Sequence, residues 1–127
     1  LDSSIMPGMS LTGRFEEALL ATPVLRDTAK PYDTDLYMAY MYGNQAFAHI
    51  ENEENPDGPD ICIIKDSYAV PFATFASLRC HNVYMIDPRY YEDSIEDFIN
   101  SKNMDYVVVM FSPDDLAEDF FTFGESK

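Results

Sequence analysis

The sequence predicts an α/β fold built on a parallel sheet, and three observations carry that expectation. Short apolar, β-branched runs recur after Asp60, at "ICIIK" (61–65), "NVYMID" (82–87) and "DYVVVMF" (105–111). The segments between them space their apolar residues as helices do. A further helical pattern follows the third run, so strand and helix alternate at the interval of right-handed βαβ crossovers.

Each element has its own local reasons. Ile61–Lys65 reads as a buried strand, four apolar residues ended abruptly by Lys65-Asp66-Ser67. "AVPFATFASLR" (69–79) places Phe72, Phe75 and Ala76 at helical spacing. Residues 82–87 form the second strand, closed by Pro88. "SIEDFINSKN" (94–103) is an amphipathic helix with Ile95, Phe98 and Ile99 on one face. Ser94 is its N-cap, and Asp97 stands where a capping-box acid would. Residues 105–111 are the third strand, and "PDDLAEDFF" (113–121) opens the last helix.

The first 59 residues are less regular than the βαβαβα core of 60–127. "GRFEEALL" reads as one short helix, "DLYMAYMY" (35–42) as a strand or an irregular aromatic segment, and "AFAHIE" (46–51) as a strand. Gly43-Asn44 marks a turn, and "NEENPDGPD" (52–60) is a solvated loop.

The length of 127 residues suits one domain able to bury a core. The formal net charge of −15, with only eight Lys and Arg, excludes nucleic-acid binding through phosphates and suits neutral, cationic or metal-bridged ligands. Cys62 and Cys80 match no metal spacing, and Cys62 reads as a small buried hydrophobe. No cofactor motif, signal-peptide pattern or apolar run of membrane length is present.

In an open parallel sheet, ligands bind beyond the carboxyl ends of the strands. Those ends supply Asp66 and Ser67, then Asp87 and Arg89, then Ser112, Asp114 and Asp115. Ser67 has two readings, a nucleophile at a strand tip or an N-cap for the next helix, and capping is favoured on sequence alone. Ser112-Pro113-Asp114-Asp115 fits a helix start. A third reading makes Asp66, Asp87, Asp114 and Asp115 a divalent-cation pocket, although capping already accounts for two of the four. Arg89 offers a planar fork of donors on a stiff turn after Pro88. A nucleophilic serine needs a base within reach. His81 stands at the opposite end of its strand, and His49 pairs with no evident carboxylate.

"IIKDSYAVPF", "VYMIDPRYY" and "YVVVMFS", preceded by "DLYMAYMYGNQAFAHIEN", resemble the C-terminal part of the bacterial DHHW-motif proteins, relatives of the SGNH hydrolases and alginate O-acetyltransferases. The resemblance covers roughly residues 35–112 and implies a three-layer, flavodoxin-like SGNH fold in permuted order. It makes Ser67 the nucleophile, with its own N–H as one oxyanion donor, and sets Asp66, Asp87 and Arg89 around it. Ser112 stands where relatives have an oxyanion-holding asparagine. The chain has no Asp-His-His-Trp stretch and no Trp. Either the Asp-His pair lies in a missing N-terminal part of the same protein, or the domain has kept the scaffold without the triad. The first implies an extracytoplasmic or cell-surface esterase or O-acyltransferase acting on an acylated glycan, inactive as this chain alone. The second implies a domain that binds carbohydrate or a protein partner.

Overall fold

The computed structural model describes residues 1–6, 9–21 and 36–113. Six strands make one mixed sheet: β1 (Asp2–Met6), β2 (Met9–Thr12), β3 (Phe47–Glu51), β4 (Asp60–Lys65), β5 (Asn82–Ile86) and β6 (Tyr106–Met110). Their spatial order is β2-β1-β3-β5-β4-β6. Three short helices accompany them: α1 (Phe15–Ala18), α2 (Ala69–Ala76) and α3 (Ile95–Ser101). The helix expected after Pro113 lies outside the described residues.

The three predicted strands are adjacent and parallel. β4 is central, pairing Ile61 through Ile64 with Val83 through Ile86 on one side and Ile61 through Lys65 with Tyr106 through Met110 on the other. The N-terminal half departs from the all-parallel expectation. β3 runs antiparallel to β5, with Phe47 opposite Ile86 and Glu51 opposite Asn82. Loop length explains this. Residues 52–59 are too few for a parallel crossover, which needs about a dozen residues or more, so β4 must leave in the direction opposite to β3. β1 pairs antiparallel with both β3 and β2, a hairpin absent from the sequence reading. Residues 36–39 of the aromatic segment form a 3-10 turn, followed by a bridge between Tyr40 and Leu20.

Strand alternation sends apolar side chains to both faces. Ile61, Ile63, Val83, Met85, Ala48 and Ile50 face one way, packed with Ala69, Val70 and Ala73 of α2 and with Ala18, Leu19 and Met41. Cys62, Ile64 and Ile86 face the other, with Ile95 buried and Phe98 and Ile99 packed against them from α3. Burial pushes the Cys62 thiol up to about 12. Ser94 caps α3 as expected, accepting from the Asp97 N–H at 3.1 Å.

The buried stripe of α2 corrects the sequence reading. Its small residues face the sheet, whereas Phe72 and Phe75 are half exposed. Small side chains let the helix approach the strands closely, and Phe75 flanks the contact, 5.1 Å from Phe15 and 6.1 Å from Tyr40 between ring centroids.

Among the described residues β6 has a neighbour on one side only, and Tyr106, Val107 and Val109 are exposed. Ile63, by contrast, is fully buried between β5 and β6. Ile63→Ala is expected to cost about 2–5 kcal/mol in urea unfolding, whereas Val109→Thr should stay within about 0.5 kcal/mol of wild type.

Candidate functional site

The carboxyl ends of β4, β5 and β6 form one edge, and the turn that feeds β3 reaches the same edge from the opposite direction. Ser67, Asp87, Arg89 and Ser112 all stand on it.

Asp66 organises the turn after β4. It is fully buried. Its Oδ1 accepts from the Tyr68 N–H at 2.8 Å, and its Oδ2 accepts from the Ser112 N–H beyond β6. One carboxylate therefore closes the 66–68 turn and ties two parallel strands together past their last ladder bond. This arrangement overturns the capping reading of Ser67. The N-terminus of α2 has no side-chain cap: the Val70 N–H that a capping Ser67 hydroxyl would take goes to the Ser67 carbonyl, and the Asp66 carboxylate takes the Tyr68 N–H instead. Ser67 is half-buried, and among the described residues nothing hydrogen-bonds its hydroxyl.

A second network lies beside it. Lys65 ends β4 with a buried side chain, and its Nζ donates to Asn44 Oδ1 and, at 3.0 Å, to the Gln45 carbonyl. Asn44 Nδ2 donates in turn to Asp87 Oδ2 at 2.6 Å. Arg89 forks the same carboxylate, Nε to Oδ1 at 3.0 Å and Nη2 to Oδ2 at 2.8 Å, and its backbone N–H adds a bond to Oδ1 at 3.1 Å. Asn44 is delivered by a turn in left-handed backbone, with φ of 52° at Met41, 56° at Tyr42 and 95° at Gly43. Glycine suits the last of these, where a side chain would be strained.

Electrostatics follow from the burial. Desolvation lowers the Lys65 ammonium to about 8, against the pull of Asp87, while Arg89 pushes the same way as burial. Burial alone would raise Asp87. The hydrogen bonds from Arg89 and Asn44, with Lys65 nearby, outweigh it and hold the carboxyl below its ordinary range.

The expected site residues thus divide. Ser67 and Arg89 are partly accessible. Asp66 and Asp87 are fully buried with their oxygens engaged, so they position the turn and the guanidinium rather than face a substrate. Ser112 is buried, and its N–H is taken by Asp66, which leaves that N–H no part in holding an oxyanion. The metal reading fails for the same reason at Asp66 and Asp87, while Asp114 and Asp115 lie outside the described residues. Among the described residues no three His, Cys, Asp or Glu converge on a possible metal position.

Neither histidine supplies a base. His49 is level with Cys62 across β5, five residues short of Ser67, which is roughly 16 Å along a strand. Its ring stacks on Tyr84 with centroids 4.3 Å apart, and its Nε2 bonds Asn82 Oδ1 at 2.8 Å. His81 sits farther off, at the opposite edge, 3.3 Å from Asp60 and 3.7 Å from Glu51. Lys65 and Asn44 were missed by the sequence reading. A lysine closing an apolar strand in so lysine-poor a chain was the available signal for one. Nothing local marked the other.

No protein-family model and no curated protein matches the sequence. Solved structures do. The chain is similar to Bacillus cereus PatB1, at 19% identity and a TM-score of 0.68 over 96% of this chain and 38% of that one. A PatB1 structure with a sulfonyl adduct matches at 23% identity and a TM-score of 0.61, covering 70% and 30%. The structural neighbours include a DHHW family protein. It comes from Eubacterium siraeum and matches at 26% identity and a TM-score of 0.54, covering 67% of this chain and 31% of its own. The family suggested by the sequence motifs is therefore among the fold's solved neighbours, and the chain spans about a third of each neighbour's length.

Two outcomes test the networks. Asp66→Asn points an amide donor at a backbone N–H, so it should cost about 1–3 kcal/mol and speed amide exchange at Tyr68 or Ser112. Lys65 has a folded-state pKa below its unfolded value, so from about pH 8 upward the unfolded chain holds the extra proton and stability rises with pH. Relative to Lys65→Met, the wild type should gain about 1 kcal/mol per pH unit between about pH 8 and 10. The opposing titration of Cys62 is common to both proteins and cancels. A gap that stays flat in urea melts over that range would show Lys65 to be unperturbed.

Proposed function

We propose that the chain is the serine-bearing part of an SGNH-like esterase or O-acyltransferase acting on an acylated cell-surface polysaccharide in a bacterial extracytoplasmic compartment. Ser67 is the nucleophile, Arg89 borders the substrate, and the two packed faces of the sheet belong to a three-layer arrangement. The observation that carries this reading is the Ser67 hydroxyl, half-exposed on a turn closed by Asp66, with no capping duty. Nucleophilic serines are presented in this manner, at a strand-to-helix turn over a sheet edge.

The neighbours support it in kind. A sulfonyl adduct, as in one PatB1 structure, is the product expected when an activated nucleophile attacks a sulfonyl reagent. In the mechanism, Ser67 Oγ attacks the acyl carbonyl while a base takes its proton, and backbone N–H groups hold the oxyanion. Asp87 contributes by fixing Arg89, and Asp66 by fixing the backbone of the nucleophile's turn. The base comes from outside the described residues of this chain.

A second reading has its own observation. Neither histidine approaches Ser67, which suits a domain that binds an acylated glycan or a protein partner without turning it over.

Phenylmethylsulfonyl fluoride followed by peptide mass mapping tests the nucleophile. Labelling confined to Ser67 and lost in Ser67→Ala is expected in the protein that supplies the base, because an unactivated serine reacts no faster than any other. Labelling scattered over serines and tyrosines would remove the assignment. Without its base, the chain alone should hydrolyse p-nitrophenyl acetate at background rate, unchanged in Ser67→Ala. Turnover that this substitution abolishes would reveal a working base within the chain.

A further inference from the structure

A cleft of about 670 Å³ opens beside the candidate site, lined by Arg89, Tyr90, Tyr91, Glu92 and Asp93. Ile64 and Ile86 are paired neighbours. Ser67 and Arg89 each follow by three residues, so the cleft lies one strand from the serine. Tyr90 is one of its walls and is 60% exposed; the Arg89 guanidinium lies over one face of its ring, 5.4 Å from the centroid, which leaves the other face for a ligand. An exposed tyrosine offers an apolar ring face with a polar tip, which is the complement of a pyranose, apolar on its C–H face and hydroxylated at its rim.

The charges around that surface are of one sign. Arg89 is the sole cation among the lining residues, and the buried Asp87 already forks it at 2.8 Å. Glu92 and Asp93 are exposed beside it, and the exposed Glu96 and Asp97 follow in the first turn of α3. The remaining nearby lysines are turned elsewhere: Lys65 is buried against Asn44, and Lys102 lies over the Tyr84 ring. Together with the formal net charge of −15, these groups make the cleft electronegative. Carboxylates accept hydrogen bonds from sugar hydroxyls and attract ammonium groups, and they repel other carboxylates.

We propose that this cleft is a glycan subsite that takes an uncharged or amine-bearing sugar chain and excludes a uronate chain, with Tyr90 as the stacking platform and Glu92 and Asp93 as the charge filter. The proposal rests on the reading of the Ser67 edge as an acyl-transfer site, and it names the class of glycan offered there.

Binding measured by calorimetry at low salt separates the possibilities, using three tetramers: N-acetylglucosamine, glucosamine and galacturonate. The first two should bind and the third should not. Tyr90→Ala should weaken both by roughly tenfold, the scale of one lost aromatic stack, and Tyr90→Phe should retain them. Glu92→Gln combined with Asp93→Asn should weaken glucosamine, spare N-acetylglucosamine and admit galacturonate. Galacturonate binding the wild type as tightly as the neutral tetramer would overturn the proposal. So would no binding by the neutral tetramer, or glucosamine binding that salt removes and Tyr90→Ala leaves unchanged. Selective binding without sulfonyl labelling at Ser67 in the protein that supplies the base would defeat the acyl-transfer reading alone, and labelling without selective binding would defeat the subsite alone.

Discussion

A buried ammonium must find oxygen, and much of this sheet edge is arranged around that requirement. Lys65 ends β4 with a buried side chain, and desolvation works against its charge. Asn44 and the Gln45 carbonyl answer it, and they reach it only because residues 41–43 turn through left-handed backbone. Asn44 then serves two masters, accepting from Lys65 and donating to Asp87. Asp87, held by four hydrogen bonds from Asn44 and Arg89 across its two oxygens, fixes the guanidinium of Arg89. The position of Arg89 is thus set through a lysine and an asparagine behind its carboxylate partner.

Asp66 performs a parallel task with backbone partners. By accepting from Tyr68 and Ser112 it joins the ends of β4 and β6, and among the described residues the Ser67 hydroxyl makes no hydrogen bond. The two networks differ in what they protect. One holds a side-chain fork, the other a peptide turn, and the serine lies between them. The turn is thereby fixed by its neighbours. A nucleophilic role for the serine hydroxyl would need a proton acceptor. Both histidines are committed at mid-sheet or at the far edge, His49 to Tyr84 and Asn82, and His81 to Asp60 and Glu51.

What could be read from residues alone was what depends on short stretches. The three β-branched runs are strands because their pattern is local, and Ser94 caps α3 because a cap needs only the next three residues. Parallel pairing of β4, β5 and β6 follows from the helices between them. Burial of Cys62 follows from its apolar neighbours. The face of α2 was misread, since helical spacing marks more than one stripe and only the distance to the sheet selects the one with small residues. The hairpin of β1 and β2 carries too weak a pattern to be seen, because its pairing depends on β3, far along the chain.

The sequence by itself determined the α/β class, the edge on which Ser67, Asp87, Arg89 and Ser112 assemble, and the placing of His81 at the far end of its strand, while His49 was left for the structure to place. Tertiary structure decided the mixed sheet and the division of labour at its edge. It made Asp66 the holder of the turn, freed Ser67 from capping, and brought Asn44 between Lys65 and Asp87. The physical reason is separation along the chain: these bonds join residues 21, 43 and 46 positions apart, and no local propensity encodes such a meeting.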